Sequence, residues 1–411
     1  MFDAPTQKTF WLINQYASTP ETGMGGRHYY FAKELAKQGH KVYLIGAGFT
    51  HLLRQPPVLE SDYTLQEITD NLVFVWVKMP EYNDAHDKQR VLNWVKFAWK
   101  LLKIPKVIID KPDAILYSSP SLIPFLGAQR LSKKLNAKLI WDIRDIWPLT
   151  LTELGGLTKY HPFIVVHQLI EMFACRHSDF ITSNWPYAIE HLSKYGAVKE
   201  NFLWLPNGFD RDEFEQAEPL DNNTLNQIPR DKFIVGYTGT LGKANAIQLI
   251  LDAALLTHGN NKIHYLLVGG GKLKNDIVSF IKEHQLDNVT LMNPIPKKQI
   301  PSMLAMFDVC YVGFNKSPLY KFGNSLNKLP EYLMSGKPIL YSIDSTFKPV
   351  DDAQCGLTVP AENIKAIVDA ILKLNAMSEK ELYKMGQNGR AYANENHDYA
   401  KLTQKIERIL S

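Results

Sequence analysis

The residues best suited to chemistry in this sequence are glycine-rich and serine/asparagine-rich stretches standing beside lysines. Lys321-Phe322-Gly323-Asn324-Ser325-Leu326-Asn327-Lys328-Leu329-Pro330-Glu331-Tyr332 begins small and polar, then reads from Leu329 as a helix ending at Gly336. A helix start rich in Ser and Asn and carrying a lysine suits a diphosphate, through backbone donors plus one point charge. Glu331, about a turn inside, is placed to accept hydrogen bonds from ribose hydroxyls. The same residues also spell a Ser/Asn cap, a surface lysine and an ordinary helical glutamate. Three further turns present unpaired N–H groups in the same manner. They are Gly23, Gly25 and Gly26 followed by Arg27 and His28; Gly239-Thr240-Leu241-Gly242-Lys243; and Gly269-Gly270-Gly271-Lys272. The first lacks the G-x-G-x-x-G spacing, and a glycine cluster alone is also simply a tight turn. Two such turns with lysines in one half of the chain point more firmly to a phosphate site.

A second group is Trp141-Asp142-Ile143-Arg144-Asp145-Ile146-Trp147-Pro148. At a strand end between two tryptophans, Asp142 or Asp145 would orient or deprotonate a hydroxyl, or Asp145 would only pin Arg144. Arg144 itself is no general base, its pKa exceeding about 12, but it pairs with phosphate or carboxylate. His28, His161 and His167 fall on helical segments where packing or surface roles are commoner.

The elements that must position these groups alternate. Lys8–Asn14 reads as a strand, followed by the first glycine turn and a helix with Phe31, Ala32, Leu35 and Ala36 on one face, stopped at Gly39. Further strands are expected at Lys41–Gly46, Ala114–Ser118 and Lys138–Trp141, and a second series at Phe233–Tyr237, Ile263–Val268, Val289–Met292, Val309–Phe314 and Pro338–Ser342. Helical patterns between them make both halves βα series with parallel sheets. The expected organisation is α/β with two Rossmann-like domains. Residues 1–209 form the first domain, the polar stretch 210–231 a linker and 232–385 the second domain. In 386–411, the end of a helix running from Glu379 to Leu410 packs back on the first half.

At 411 residues the chain exceeds what one core usually fills, so two domains of about 200 residues are natural. Apolar residues make up 45% and charged residues 21%, an ordinary globular balance without repeats or low-complexity tracts. A net charge of +4 is too small to imply nucleic acid. Cys175, Cys310 and Cys355 are too scattered for a disulfide framework or a metal site, which fits a reducing cytoplasm. Met1–Lys8 has no leader pattern, and no apolar run reaches the roughly 20 residues of a spanning helix. Arg90–Lys106, RVLNWVKFAWKLLKIPK, sets Trp94, Phe97, Leu101 and Leu102 among Lys96, Lys100, Lys103 and Lys106. That pattern fits an interfacial helix on anionic lipid, or an amphipathic helix buried on its own sheet with a solvated basic face. His161–Phe173 is a weaker second segment of this kind.

The whole chain resembles family 4 (group 1) glycosyltransferases of GT-B fold, and within them bacterial O-antigen and capsule enzymes similar to L-fucosamine (N-acetyl-fucosamine) transferases. The resemblance is carried by Gly25-Gly26-Arg27, the Trp141–Pro148 stretch, Pro206-Asn207-Gly208, Gly236-Tyr237-Thr238-Gly239 and Ser325 through Pro338. It implies two parallel-sheet domains facing across a cleft, and retaining transfer from a nucleotide sugar, usually a UDP-sugar, without a cofactor or an obligatory metal. It also implies acceptors that are often undecaprenyl diphosphate-linked saccharides of lipopolysaccharide and other surface polysaccharide biosynthesis. Such an enzyme works in the cytoplasm, peripherally on the inner face of the membrane.

Glu331 matches the second glutamate of the family's E-x7-E motif, which contacts ribose, and Asn324, Ser325, Leu326 and Asn327 match the amides that hold the diphosphate. Gly323 stands where the first glutamate belongs. Thr240 and Asn245 stand near the family's usual Arg and Lys, leaving Lys328 and Lys243 as replacement cations, and Arg144-Asp145 replaces a common His-Asp pair. Since charge builds on the departing diphosphate, Lys328, the Gly239–Gly242 turn and Gly26 are the groups expected to act on the transition state, with Gly270 among the donor-binding residues. A sugar-nucleotide epimerase of the same architecture, or a non-catalytic nucleotide-binding scaffold, are the competing readings.

Overall fold

In the computed structural model, which describes residues 7–84 and 87–410, the chain forms two α/β units. Residues 1–6, most of the Met1–Lys8 stretch, lie outside the described residues. Unit 1 takes the chain through Pro206 and again from Tyr399, and unit 2 runs from Asn207 to Asp398.

Unit 1 is built on eight strands: β1 (Thr9–Ile13), β2 (Lys41–Ala47), β3 (Tyr63–Thr69), β4 (Leu72–Val77), β5 (Ala114–Ser118), β6 (Lys138–Ile143), β7 (Phe180–Ser183) and β8 (Phe202–Trp204). Their order is β3-β4-β2-β1-β5-β6-β7-β8, parallel except for the β3–β4 hairpin at one edge. The central strands are buried on both faces, so they read as unbroken apolar runs such as Phe10-Trp11-Leu12-Ile13. The order reverses between β1 and β5, the crevice where open α/β sheets bind ligands.

Unit 2 has six strands, all parallel: β9 (Phe233–Thr238), β10 (Ile263–Val268), β11 (Val289–Met292), β12 (Val309–Gly313), β13 (Ile339–Ser342) and β14 (Gly356–Val359). Their order is β11-β10-β9-β12-β13-β14, with the reversal between β9 and β12. Both faces carry their own core, one around Phe307, Tyr332 and Leu333, the other around Ile250, Tyr265 and Ile371.

Two expectations about organisation are corrected. The stretch 210–231 is no linker: the helix Arg211–Glu215 is capped by Asp210, the helix Asn222–Leu225 by Asp221, and Leu220 and Ile228 are buried in the unit 2 core. Its polar composition reflects helix caps and an exposed outer face. The final helix is also not continuous. Glu379–Asn396 stays in unit 2 and Tyr399–Arg408 belongs to unit 1, where Tyr399, Leu402 and Ile406 join the core beside Phe31 and Leu35. The break falls where His397 Nδ1 meets the Asn207 carbonyl at 2.7 Å and Asp398 pairs with Phe209 as an isolated bridge.

Candidate functional site

In unit 2 the two glycine turns leave the adjacent strands β9 and β10 side by side. Gly239 N–H donates to the Val268 carbonyl at 2.9 Å and Leu241 N–H to the Gly270 carbonyl at 2.8 Å. A Cβ on Gly269 would stand 1.9 Å from the Gly239 carbonyl oxygen, and one on Gly271 2.3 Å from that of Leu241. These glycines are therefore required by the close approach of one turn to the other. Thr240 and Gly242 keep backbone N–H groups without partners among the described residues.

Above this pair sits the helix Leu329–Ser335, anchored to β9 by the fully buried Tyr332, whose Oη accepts from Thr238 N–H at 2.7 Å and donates to its carbonyl at 3.1 Å. At its far end Arg390 donates to the Met334 and Ser335 carbonyls, supplying partners the last turn lacks. A helix fixed at both ends sets Lys328 and Glu331 rigidly.

Lys328 Nζ donates to Tyr237 Oη at 2.7 Å and Asn245 Oδ1 at 3.2 Å. Tyr237 Oη and Asn245 Nδ2 in turn both donate to the Thr240 carbonyl, at 2.7 and 3.0 Å. The four groups close a ring around the Gly239–Gly242 turn, with the ammonium against Gly239, where a Cβ would lie 3.1 Å from Nζ. Burial pushes the Lys328 pKa down to about 7, against the pull of Glu331. Lys243, the other expected cation, is exposed, and its carbonyl, rather than its ammonium, is engaged, by Asn315 Nδ2.

Ahead of Lys328, the backbone N–H groups of Asn324, Ser325, Leu326 and Asn327 make no hydrogen bonds with the described residues. The Asn324 side chain is committed to Tyr341 and Ser345, and Ser325 Oγ accepts from Asn207 Nδ2 at 2.9 Å. Both contacts brace the loop and leave its amides available. Glu331, expected at ribose, is held by Lys297, whose Nζ donates to Oε1 at 2.6 Å. Tyr237 stands in the sequence only as part of the Gly236–Gly239 motif, inside β9 like any core tyrosine, and Lys297 carries no signal there, being 34 residues from Glu331.

Unit 1 carries its groups at the β1–β5 reversal. Gly25 is the N-cap of the helix that Gly26 begins, Gly26–Lys37, and its N–H donates to Ser18 Oγ at 3.2 Å. The Asp142 expectation is corrected. Its side chain is 1% exposed, and its oxygens accept from Arg27 at 2.9 Å, Ser118 at 2.7 Å and Thr182 at 2.9 Å. A carboxylate so enclosed anchors Arg27 and faces no incoming hydroxyl. His28 Nε2 lies 2.7 Å from Ser118 Oγ, and burial, then Arg144 and Arg27, pull its pKa well below the usual value.

Asp145 differs. Burial raises its pKa while Arg144 pulls it back, and its carboxylate makes no hydrogen bond with the described residues. His161 caps the helix Pro162–His177, and His167 packs among Trp94, Trp147 and Phe163.

The apolar residues of 90–106 are also corrected: Trp94, Phe97 and Leu101 are buried, the helix packing on Phe125–Leu135 and Trp94 lying among Trp147, Phe163 and His167. A different stripe of the same helix, Leu92, Val95 and Trp99, faces out, with Trp99 59% exposed beneath Lys103 Nζ at 3.9 Å. Among the described residues no helix is long and apolar enough to cross a membrane. The three cysteines are free and buried.

Two parallel-sheet Rossmann-like units with ligand crevices at their strand ends define the GT-B fold. Residues 222–392 match the family Glycosyl transferases group 1. Over 204 residues the chain is 24% identical to TuaH of Bacillus subtilis (strain 168), named as a teichuronic acid biosynthesis glycosyltransferase; the match spans 49% of this chain and 50% of TuaH, about half of each. A sucrose-phosphate synthase from Thermosynechococcus elongatus superposes with a TM-score of 0.75 at 16% identity over 98% of both chains. HepE of Anabaena, solved in complex with UDP, superposes with a TM-score of 0.66 at 14% identity, over 98% of this chain and 99% of that one.

Proposed function

We propose that the protein is a retaining glycosyltransferase that moves a sugar from a nucleotide diphosphate donor, a UDP-sugar, to a lipid-linked saccharide in surface polysaccharide biosynthesis. The observation carrying this reading is the run of four uncommitted amides from Asn324 to Asn327, ending at Lys328 set against the Gly239 turn. Amides and ammonium together receive a diphosphate, and as the sugar–phosphate bond breaks the charge growing on that diphosphate is met by donors already in place. Glu331 takes the ribose hydroxyls. With Gly323 in place of a carboxylate, the donor sugar is read by neighbouring groups. Asp145 receives the acceptor hydroxyl's proton.

Leu92, Val95 and Trp99, with Lys96 and Lys103 beside them, form the surface we assign to an anionic bilayer. Leu126 on the adjoining helix Phe125–Leu135, and Val165, Val166 and Leu169 on Pro162–His177, extend the exposed apolar residues of these neighbouring helices. The enzyme then meets a lipid-linked acceptor where that acceptor resides.

The test is a panel of UDP- and GDP-sugars with and without an undecaprenyl diphosphate-linked saccharide. Slow nucleotide release accelerated by the acceptor, with the anomeric configuration kept in the product by NMR, supports the reading. Interconversion of donor epimers without acceptor, or no donor turnover at all, overturns it.

A further inference from the structure

We propose that Lys297 is a positioning residue for donor recognition: clamped between Glu213 and Glu331, it fixes the Glu331 carboxylate in the orientation that accepts the ribose hydroxyls. This rests on the reading of Glu331 as the ribose-binding group.

Lys297 follows β11 at the start of a short turn, Lys297–Gln299, leading into the helix Ile300–Ala305. Its ammonium lies 2.6 Å from Glu331 Oε1 and 3.3 Å from Glu213 Oε2. Glu331 Oε2 has no hydrogen bond among the described residues. One oxygen is thus held and the other left to accept. Burial would lower the Lys297 pKa, but Glu331 and Glu213 outweigh it and drive it above the usual lysine value, so the clamp stays charged.

The clamp is itself braced by the segment whose composition suggested a linker. Glu213 sits on the capped helix Arg211–Glu215. Glu218 N–H donates to the Lys298 carbonyl at 2.9 Å, Gln299 Nε2 to the Pro219 carbonyl at 3.0 Å, and Ser302 Oγ to the Glu218 carbonyl at 2.7 Å. Residues 213–219 and 297–302 are therefore one stitched unit. The Lys297 side chain is 49% exposed, so the pair adds little to folding stability. Its effect is pre-organisation: a glutamate with free rotamers must be ordered by each ligand it binds, and one already held need not be.

The experiment compares UDP with 2′,3′-dideoxy-UDP by calorimetry. The wild type is expected to prefer UDP by about 10-fold or more, the worth of a hydrogen bond to a charged group. Lys297→Met should reduce that ratio to about twofold while leaving affinity for the dideoxy ligand unchanged, which also shows that the site is folded. Lys297→Arg, keeping the charge, should retain the ratio. If the Met variant does not fold, Lys297→Gln gives the same readout.

A variant that loses affinity for both ligands equally overturns the proposal, since the lysine is then merely structural. One that binds UDP more tightly overturns it too, since the lysine then competes with ribose. A wild type that does not discriminate removes the ribose role of Glu331 and the clamp with it. Discrimination that persists without Lys297 sinks the clamp alone.

Discussion

Lys328 and Tyr237 are joined twice: the ammonium donates to the phenol oxygen at 2.7 Å and lies 3.9 Å from the ring centroid. The tyrosine thus fixes where the positive charge sits relative to the Gly239 turn, and its own hydroxyl donates a hydrogen bond to the Thr240 carbonyl.

Lys328→Met should lower turnover about 100-fold or more, with a smaller loss of donor affinity, because the bound diphosphate shares its charge with backbone amides until the bond breaks. Lys243→Met, at an exposed position, should stay within about threefold of the wild type. Steady-state kinetics with calorimetric Kd values decides; the reverse ranking would assign the role to Lys243 instead. Tyr237→Phe removes the hydroxyl that links Lys328 to the Thr240 carbonyl and should slow turnover about fivefold.

The depressed pKa of Lys328 gives a pH signature. The free enzyme holds its charge below about 7 and loses it as pH rises through that value, so kcat/KM for the donor should fall on the alkaline side of about 7. In the donor complex the diphosphate favours the charged form, so the corresponding limb in kcat should lie at higher pH. Lys328→Met should abolish the alkaline limb in kcat/KM; a limb that survives belongs to another group.

The two aspartates should separate by readout. Asp142→Ala leaves Arg27 buried without its carboxylate and should cost about 3 kcal/mol or more in chemical denaturation. Asp145→Asn should alter stability little yet slow transfer to acceptor about 100-fold, without a matching loss of donor affinity. If Asp145→Asn transfers normally, the residue serves only Arg144.

Lys96→Gln and Lys103→Gln should each weaken co-sedimentation with anionic vesicles by about 1 kcal/mol, roughly fivefold. Lys100→Gln should do less, because Lys100 is already held by Asp62 and the Lys78 carbonyl, both at 2.8 Å. Equal, undiminished binding by all three variants would place the contact elsewhere.

The central strands and the Ser325–Glu331 segment were legible in the sequence because doubly buried parallel strands leave unbroken apolar runs and glycine turns punctuate them. The hairpin β3–β4 was missed although Asp70-Asn71 separates its strands; β3 is half-exposed at the edge and its pattern is weak. Amphipathic spacing marked Arg90–Lys106 but not its inner stripe, since Trp94 and Trp99 are alike by composition and only tertiary neighbours such as Trp147, Phe163 and His167 decide which is inside. Asp142 and Asp145 are likewise alike on paper. Arg27, Ser118 and Thr182, brought together by three different elements, bury the first and leave the second. Lys297 was invisible because its partners come from positions 213 and 331.

The return of Tyr399–Arg408 to unit 1 bears on how the chain is made. During synthesis the ribosome has delivered all of residues 207–398 before Tyr399, Leu402 and Ile406 emerge to fill the space beside Phe31 and Leu35. The usual order, in which the N-terminal domain folds first as it leaves the tunnel, is therefore incomplete here: the second unit has its whole sequence available while the first still waits for its last helix. A stop codon after Asp398 would remove nothing from the second unit's sequence and would leave the first with an open apolar groove beside Phe31 and Leu35.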